Sequence, residues 1–251
     1  MGAVRASICI ATYDKSEYLK RSLASIFRQP QEGIEVIVVD DRSPDRRNFE
    51  VCGAFPGIHY LRLNGPSGYM NPARARNTAY RAATGDVVIA QSDDVVHVTP
   101  DSIERLVQEL VPGSFVIANV FNTDLDGNRI PGNVENPGYH PLIEYTGPTN
   151  PRPFFFLGSL FRKDLYAIGG NDEEFVAPGC EDQWFANCLM GGLGLKPIFT
   201  TSIVGHHLQH YHQGTHVASQ PSHNLYAAKY ADAKAGRIPW QSCGGAWSYD
   251  S

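Results

Sequence analysis

"RASICIATYDKSEYLKRSLASIF", residues 5–27, decides the fold. Its first seven residues form a short β-rich run. The second part places Leu19, Leu23 and Ile26 at helical spacing, so strand followed by helix is expected. The alternation then repeats. "IEVIVVDD" (34–41) and "IHYLRL" (58–63) read as strands, and "NPARARNTAYRAATG" (71–85) as a helix capped by Asn71 with Pro72 at its first position. "DVVIAQ" (86–91) reads as a fourth strand, and "TPDSIERLVQEL" (99–110) as a helix with Ile103, Leu106, Val107 and Leu110 on one face. Nearly continuous apolar strands alternating with amphipathic helices predict an α/β fold with a mainly parallel central sheet flanked by helices. Farther along, "SFVIANVF", "FFFLGSLF" and "LKPIFTT" read as strands and "EDQWFANCLM" as a short helix.

The chain has 251 residues, 42% hydrophobic and 19% charged, enough for a substantial core. A net charge of −5 argues against a general nucleic-acid coat. No segment approaches the roughly 20 apolar residues that span a bilayer, and "MGAVRASICIATY" lacks a secretory signature, so a cytoplasmic protein is expected. Five cysteines, scattered and without a CxxC pair, give neither a disulfide framework nor a cysteine zinc site. Gly and Pro thicken over 130–153, which reads as a long irregular loop of the kind that forms a lid or a binding surface.

In sheets of this type ligands sit beyond the carboxyl ends of the strands. Polar clusters fall at three such ends: "ATYDKS", "DDRS" and "SDDVV". Asp93 and Asp94 follow a buried strand, where a turn lets both carboxylates reach one divalent cation; an ordinary turn is the competing reading. Asp41 can accept from a base or ribose, and Tyr13 can stack on a base. Arg74 and Arg76 stand in the first turns of a helix, where the macrodipole disfavours cations. A diphosphate at that terminus would resolve the conflict, and two solvated arginines would need none.

Taken in order, "SICIATYDKSEYLKRSLASIFRQ", "IEVIVVDDRS", "ARARNTAYRAATGDVVIAQSDD", "GSLFRKDLYAIGGNDEEF" and "GCEDQWF" resemble the family 2 glycosyltransferases of GT-A fold. The resemblance implies transfer of a sugar from a nucleotide diphosphate sugar, a UDP-sugar being the expected donor, with Mn²⁺ or Mg²⁺. The class is hexosyl- or N-acetylhexosaminyl-transferase. It places Ala11, Thr12, Tyr13 and Asp41 at the nucleobase, Arg74 and Arg76 near the donor, and Asp93 and Asp94 in the acidic metal and ribose motif. Gln91 departs from the family pattern, in which an acid is common there. Asp182 of "CEDQWF" matches the general base that gives inversion, with Glu181 as a supporting carboxylate.

"IVGHHLQHYHQGTH" (203–216) holds five of the nine histidines. Its "VGH" resembles the segment that supplies a third metal ligand in some relatives, which selects His206, with His207 as the second choice. His210, His212 and His216 read as surface or acceptor-side residues, and a separate zinc site has no supporting pattern.

The resemblance divides the chain into a GT-A domain over 1–216 and a C-terminal extension over 217–251. About 1–98 form the nucleotide-sugar half and 99–216 the acceptor and catalytic half. The acceptor is expected to offer a free hydroxyl, on a saccharide, a protein or a modified nucleobase; the tail helix is either a covering element or an oligomer contact. Two other functions fit parts of the pattern. One is a non-catalytic nucleotide-sugar-binding protein. The other is a nucleotidyltransferase, disfavoured because "ATYDKSEY" has no glycine for a phosphate loop.

Overall fold

The computed structural model describes residues 5–65, 71–130, 144–210 and 216–248, without the side chains of 216–218. Most of the Pro/Gly loop, at 131–143, and His212 lie outside the described residues, as does the His216 side chain.

Strands β1 (Ala6–Thr12), β2 (Ile34–Asp40), β3 (Ile58–Arg62) and β4 (Val87–Ser92) are joined by helices α1 (Ser16–Phe27), α2 (Arg47–Gly53) and α3 (Ala73–Ala82). All pairings among these four strands are parallel, in the order β3-β2-β1-β4. After the turn at Asp93–Asp94 come β5 (Val95–His97), α4 (Ser102–Gln108), β6 (Ser114–Thr123), β7 (Glu144–Thr146), β8 (Leu157–Phe161) and α5 (Arg162–Ile168). Helix α6 (Glu181–Asn187) continues into a wider π turn at Cys188–Gly192; β9 (Lys196–Leu208) and α7 (His216–Lys234) close the chain. The sheet runs β3-β2-β1-β4-β8-β6-β9-β5, with β7 beside β6. The α/β class with a helix-flanked sheet holds. Parallel pairing continues between β6 and β9, while β8 is antiparallel to both its neighbours.

The apolar strands are continuous because their alternate residues feed two cores. Ile8, Ile10, Val36, Val38 and Ile89 pack with Leu19, Leu23 and Ile26 of α1 and Ile103 and Leu106 of α4. Cys9, Ile37, Val39, Val88 and Ala90 pack on the opposite face with Ala75, Ala79 and Tyr80 of α3 and with Trp184 and Phe185 of α6. Each large side chain removed from water contributes roughly 1.5–3 kcal/mol, so both faces hold the sheet. Gly85, between α3 and β4, passes so close to β1 that a Cβ there would lie 2.8 Å from backbone atoms of Ala6. The C-terminal segment packs on the same body. Ser222 donates to Ala177 O at 2.7 Å, Lys229 Nζ lies 2.9 Å from an Asp172 carboxylate oxygen, and Trp247 N donates to Tyr166 O at 2.8 Å.

This topology puts the C-terminal ends of β1, β2 and β4 and the start of α3 along one edge. Asn71, the residue before Pro72–Ala73, joins the loop ahead of α6 to that edge. Its amide donates to Ala177 O and to Glu181 Oε2, each at 3.0 Å, and its Oδ1 accepts from Ala73 N.

Candidate active site

Among the described residues, three other than glycine have positive φ: Asp14 (47°), Arg42 (67°) and Cys180 (67°). They stand just past β1, just past β2 and immediately before Glu181. Left-handed backbone at a non-glycine residue costs free energy, and these three turns adjoin Tyr13, Asp41 and Glu181, residues that the sequence selects. The first two turns are tied together. Asp14 N donates to Ser43 Oγ at 2.9 Å, and Arg47 reaches Asp14 Oδ1 at 3.1 Å.

The two aspartate pairs differ in their partners. Asp40 is fully buried and accepts from Ser43 N (2.6 Å), Tyr60 OH (3.0 Å) and Asn48 Nδ2 (3.2 Å), so it fastens the turn. Asp41 is held by Arg42 Nε at 2.8 Å. Tyr13 is 56% exposed at the end of β1, and Thr12 beneath it is buried; Ala11 is partly buried.

Asp93 and Asp94 are both buried. Lys15 Nζ lies 2.7 Å from Asp94 Oδ2 and 3.6 Å from Asp93 Oδ1. His210 Nε2 is 2.7 Å from the same Asp94 oxygen, and His207 Nε2 is 3.6 Å from Asp94 Oδ1. Burial pushes the Asp93 carboxyl up, with the Asp94 charge adding to it and Lys15 opposing. For Asp94 burial acts in the same sense, but Lys15 and the two imidazoles outweigh it and hold the carboxyl well below the usual range. Burial lowers His207 to about 4, so its imidazole is neutral at pH 7. Nδ1–H of His207 donates to Asn122 Oδ1 at 2.9 Å, which turns the Nε2 lone pair toward Asp94, and Tyr145 stacks on the ring at 4.7 Å.

Asp94, His207 and His210 each offer a ligand atom, and these atoms lie within 4.8 Å of one another. Asp94 Oδ1 is buried without a hydrogen-bond partner. A carboxylate with two imidazoles is a donor set suited to Mn²⁺, so these residues fit the divalent ion expected from the sequence.

The structure does not bring His206, the first choice from sequence, to Asp94, and brings His207, the second choice, instead. In β9, His207 faces inward opposite Val95, and His206, one residue earlier, points to the other side. There a Cβ on Gly127 would lie 3.7 Å from His206 Nδ1, and His206 is not in the cluster around Asp94. His210, read from sequence as peripheral, is in that cluster. Gln91 also has its explanation: it is buried, donates to Ser22 Oγ and Val95 O, and pairs with His97 Nε2 at 2.8 Å. It serves the core beneath the turn.

The second cluster joins α3 to α6. Arg76 Nη1 is paired with Asp182 Oδ1 and lies 3.9 Å from Glu181 Oε1. The anion that settles a cation in the first turns of α3 is therefore a carboxylate of the chain itself. Arg74, farther out, is 3.9 Å from Glu173. Burial, reinforced by Asp182 and opposed by Arg76, raises Glu181 to about 7. Lys15 and the Arg76–Asp182 pairing are what sequence reasoning missed. For Lys15 the signal was its place two residues beyond Tyr13, at the same strand end.

Residues 7–169 match the profile described as Glycosyl transferase family 2. The chain is 32% identical over 130 residues to the glycosyltransferase GlyG of Streptococcus pneumoniae, covering 49% of this chain and 41% of that one. It is 29% identical over 170 residues to the uncharacterized glycosyltransferase YwdF of Bacillus subtilis, covering 65% and 60%. It thus spans about half the length of the curated relatives it matches. In fold it is similar to the mannosyltransferase PcManGT from Pyrobaculum calidifontis, in complex with GDP-Man and Mn²⁺, with a TM-score of 0.60 at 19% identity over 95% of this chain and 66% of that one. It is also similar to S. aureus TarS in complex with UDP-GlcNAc, with a TM-score of 0.58 at 19% identity over 86% and 61%. These structures are GT-A glycosyltransferases, which gives the fold of this chain.

Proposed function

We propose, for a chain that belongs to glycosyl transferase family 2, that it moves a hexosyl or N-acetylhexosaminyl group from a nucleotide diphosphate sugar, UDP-linked, to an acceptor hydroxyl with inversion. The observation that carries this reading is the Asp94–His207–His210 cluster, with one buried carboxylate oxygen unpartnered, at the edge where β1, β2 and β4 end. Asp94, His207 and His210 would hold Mn²⁺ or Mg²⁺, with Asp93 alongside. When bound, that ion would neutralise the departing diphosphate.

The chain's own groups supply the rest. Tyr13 offers an exposed ring to a nucleobase, over Ala11 and Thr12, and Asp41 offers a carboxylate already oriented by Arg42. Arg76 holds Asp182 by Oδ1, leaving Oδ2 to take the acceptor's hydroxyl proton as its oxygen attacks the anomeric carbon. Glu181, fixed by Asn71, supports that carboxylate. The division into a transferase domain over 1–216 and an extension over 217–251 belongs to the same proposal, as does a cytoplasmic location. Among the described residues no helix is long and apolar enough to cross a membrane.

The test is turnover of a panel of nucleotide sugars with Mn²⁺, in wild type and Asp182→Asn. Loss of a general base costs about 10²–10⁴ in rate while donor binding persists. Full turnover by the variant would remove Asp182 from the chemistry. No binding of any nucleotide sugar by folded protein would overturn the assignment.

A further inference from the structure

Lys15 Nζ, His210 Nε2 and Asp94 Oδ2 form a triangle with sides of 2.7, 2.8 and 2.7 Å. Its hydrogen bonds cannot all be made at once. If Nε2 donates to Asp94, it has no lone pair left to accept from the ammonium. If Nε2 accepts from Lys15, it carries no hydrogen to give the carboxylate. Two buried aspartates meet a single ammonium here, and on the other side Asp94 Oδ1 has no hydrogen-bond partner. A divalent ion bonded to Asp94 and His210 would let the carboxylate oxygens and the imidazole nitrogen all give lone pairs to one cation, and it would bring the second positive charge that two carboxylates call for.

We propose that Lys15 is a resident counter-cation that competes with the divalent ion for Asp94 and His210, so that metal binding expels the ammonium and frees it for an anionic partner on the donor. The inference rests on the metal site proposed above. It makes Lys15 a brake on metal binding in the empty protein and a source of cooperativity between metal and nucleotide diphosphate. Without the diphosphate, the displaced ammonium gives up its two carboxylates and finds no anion in exchange. With it, the ammonium exchanges one anion for another, so each ligand strengthens the other.

The experiment is a titration with Mn²⁺, following the free ion by electron paramagnetic resonance, with and without UDP. The proteins are wild type, Lys15→Met, Lys15→Gln and Asp94→Asn. Lys15→Gln keeps length and a donor without the charge, and serves if Lys15→Met does not fold. Both Lys15 variants are expected to bind Mn²⁺ about tenfold more tightly than wild type in the absence of UDP, the size of an ordinary coupling between two ligands. UDP is expected to tighten Mn²⁺ binding more in wild type than in either variant. Lys15 variants that fold only when Mn²⁺ is supplied would also count in favour. Unchanged or weaker Mn²⁺ affinity in both variants, with binding abolished by Asp94→Asn, would overturn the competition and leave the metal site standing. Absence of Mn²⁺ binding in all four proteins would overturn the metal site itself, and the competition with it.

Discussion

The chain writes the dipeptide Asp-Asp twice, at the ends of β2 and β4, the two strands that flank β1. Asp40 is surrounded by three donors and fastens a turn. Asp94 keeps one buried oxygen without a hydrogen bond and shares the other with an ammonium and an imidazole. Each pair thus has one carboxylate whose role is set by its neighbours and not by its motif. Donors from the backbone, an amide and a phenol satisfy a carboxylate permanently, whereas a lysine and two imidazoles are the partners that the proposed cation would replace or share.

The largest effect should separate these two aspartates. Asp94→Asn is expected to abolish Mn²⁺ binding and to lower turnover by about 10²–10³, the usual loss when one electrostatic group of a site is removed, with the fold retained. Asp40→Asn is expected to leave Mn²⁺ affinity unchanged and to cost about 1–3 kcal/mol of stability in denaturant unfolding, since its buried donors lose an acceptor. Reversed outcomes would break the contrast.

Next in size is the choice between adjacent histidines. His207→Ala should weaken Mn²⁺ binding by about 10- to 100-fold or more, by analogy with the loss of groups that support a metal, and His206→Ala should leave it unchanged. Weakening by His206→Ala alone would mean that β9 is shifted by one residue.

The last effect, read on stability and not on metal binding or turnover, belongs to the third acidic pair. Glu181 is raised from an ordinary 4.5 to about 7 in the folded protein. The folded state therefore binds the extra proton between these values. Its stabilising contribution is complete below about 4.5 and is lost as pH rises through 7, at about 1.4 kcal/mol per pH unit across the window. Glu181→Gln should remove that slope from thermal unfolding between pH 5 and 7. A slope unchanged by the substitution would show that Glu181 titrates normally.

Much of this organisation was legible in the sequence. β1, β2, β4, α1, α3 and α4 announce themselves because strands buried on both faces are apolar throughout, and because these helices carry clear stripes; β3, at the sheet's edge and only partly buried, shows itself by alternation instead. β5 and β7 are three residues each, too short for a period to register, and β7 lies at the edge of a Pro/Gly-rich stretch. Helix α2, "RNFEVCG", buries only Asn48 and Cys52 and so shows little pattern. β9 runs thirteen residues, past the "LKPIFTT" that reads as a strand and through His206 and His207. Its register against β6 shifts between Ile117 and Asn119, so the face to which each histidine points could not be counted from the strand's apolar start. Asp41, Asp93 and Asp94 were readable because they follow buried strands, and Glu181 and Asp182 because "CEDQWF" resembles a family motif. Their partners Lys15, His210 and Arg76 arrive from elements 79, 116 and 106 residues away, a proximity only the fold creates.

The most direct test is anomalous diffraction at the manganese edge from crystals grown with Mn²⁺ and UDP. A single peak ligated by Asp94, His207 and His210, with the Lys15 ammonium moved off Asp94, is the predicted result. A peak ligated by His206, or one that leaves Lys15 on Asp94, would contradict it.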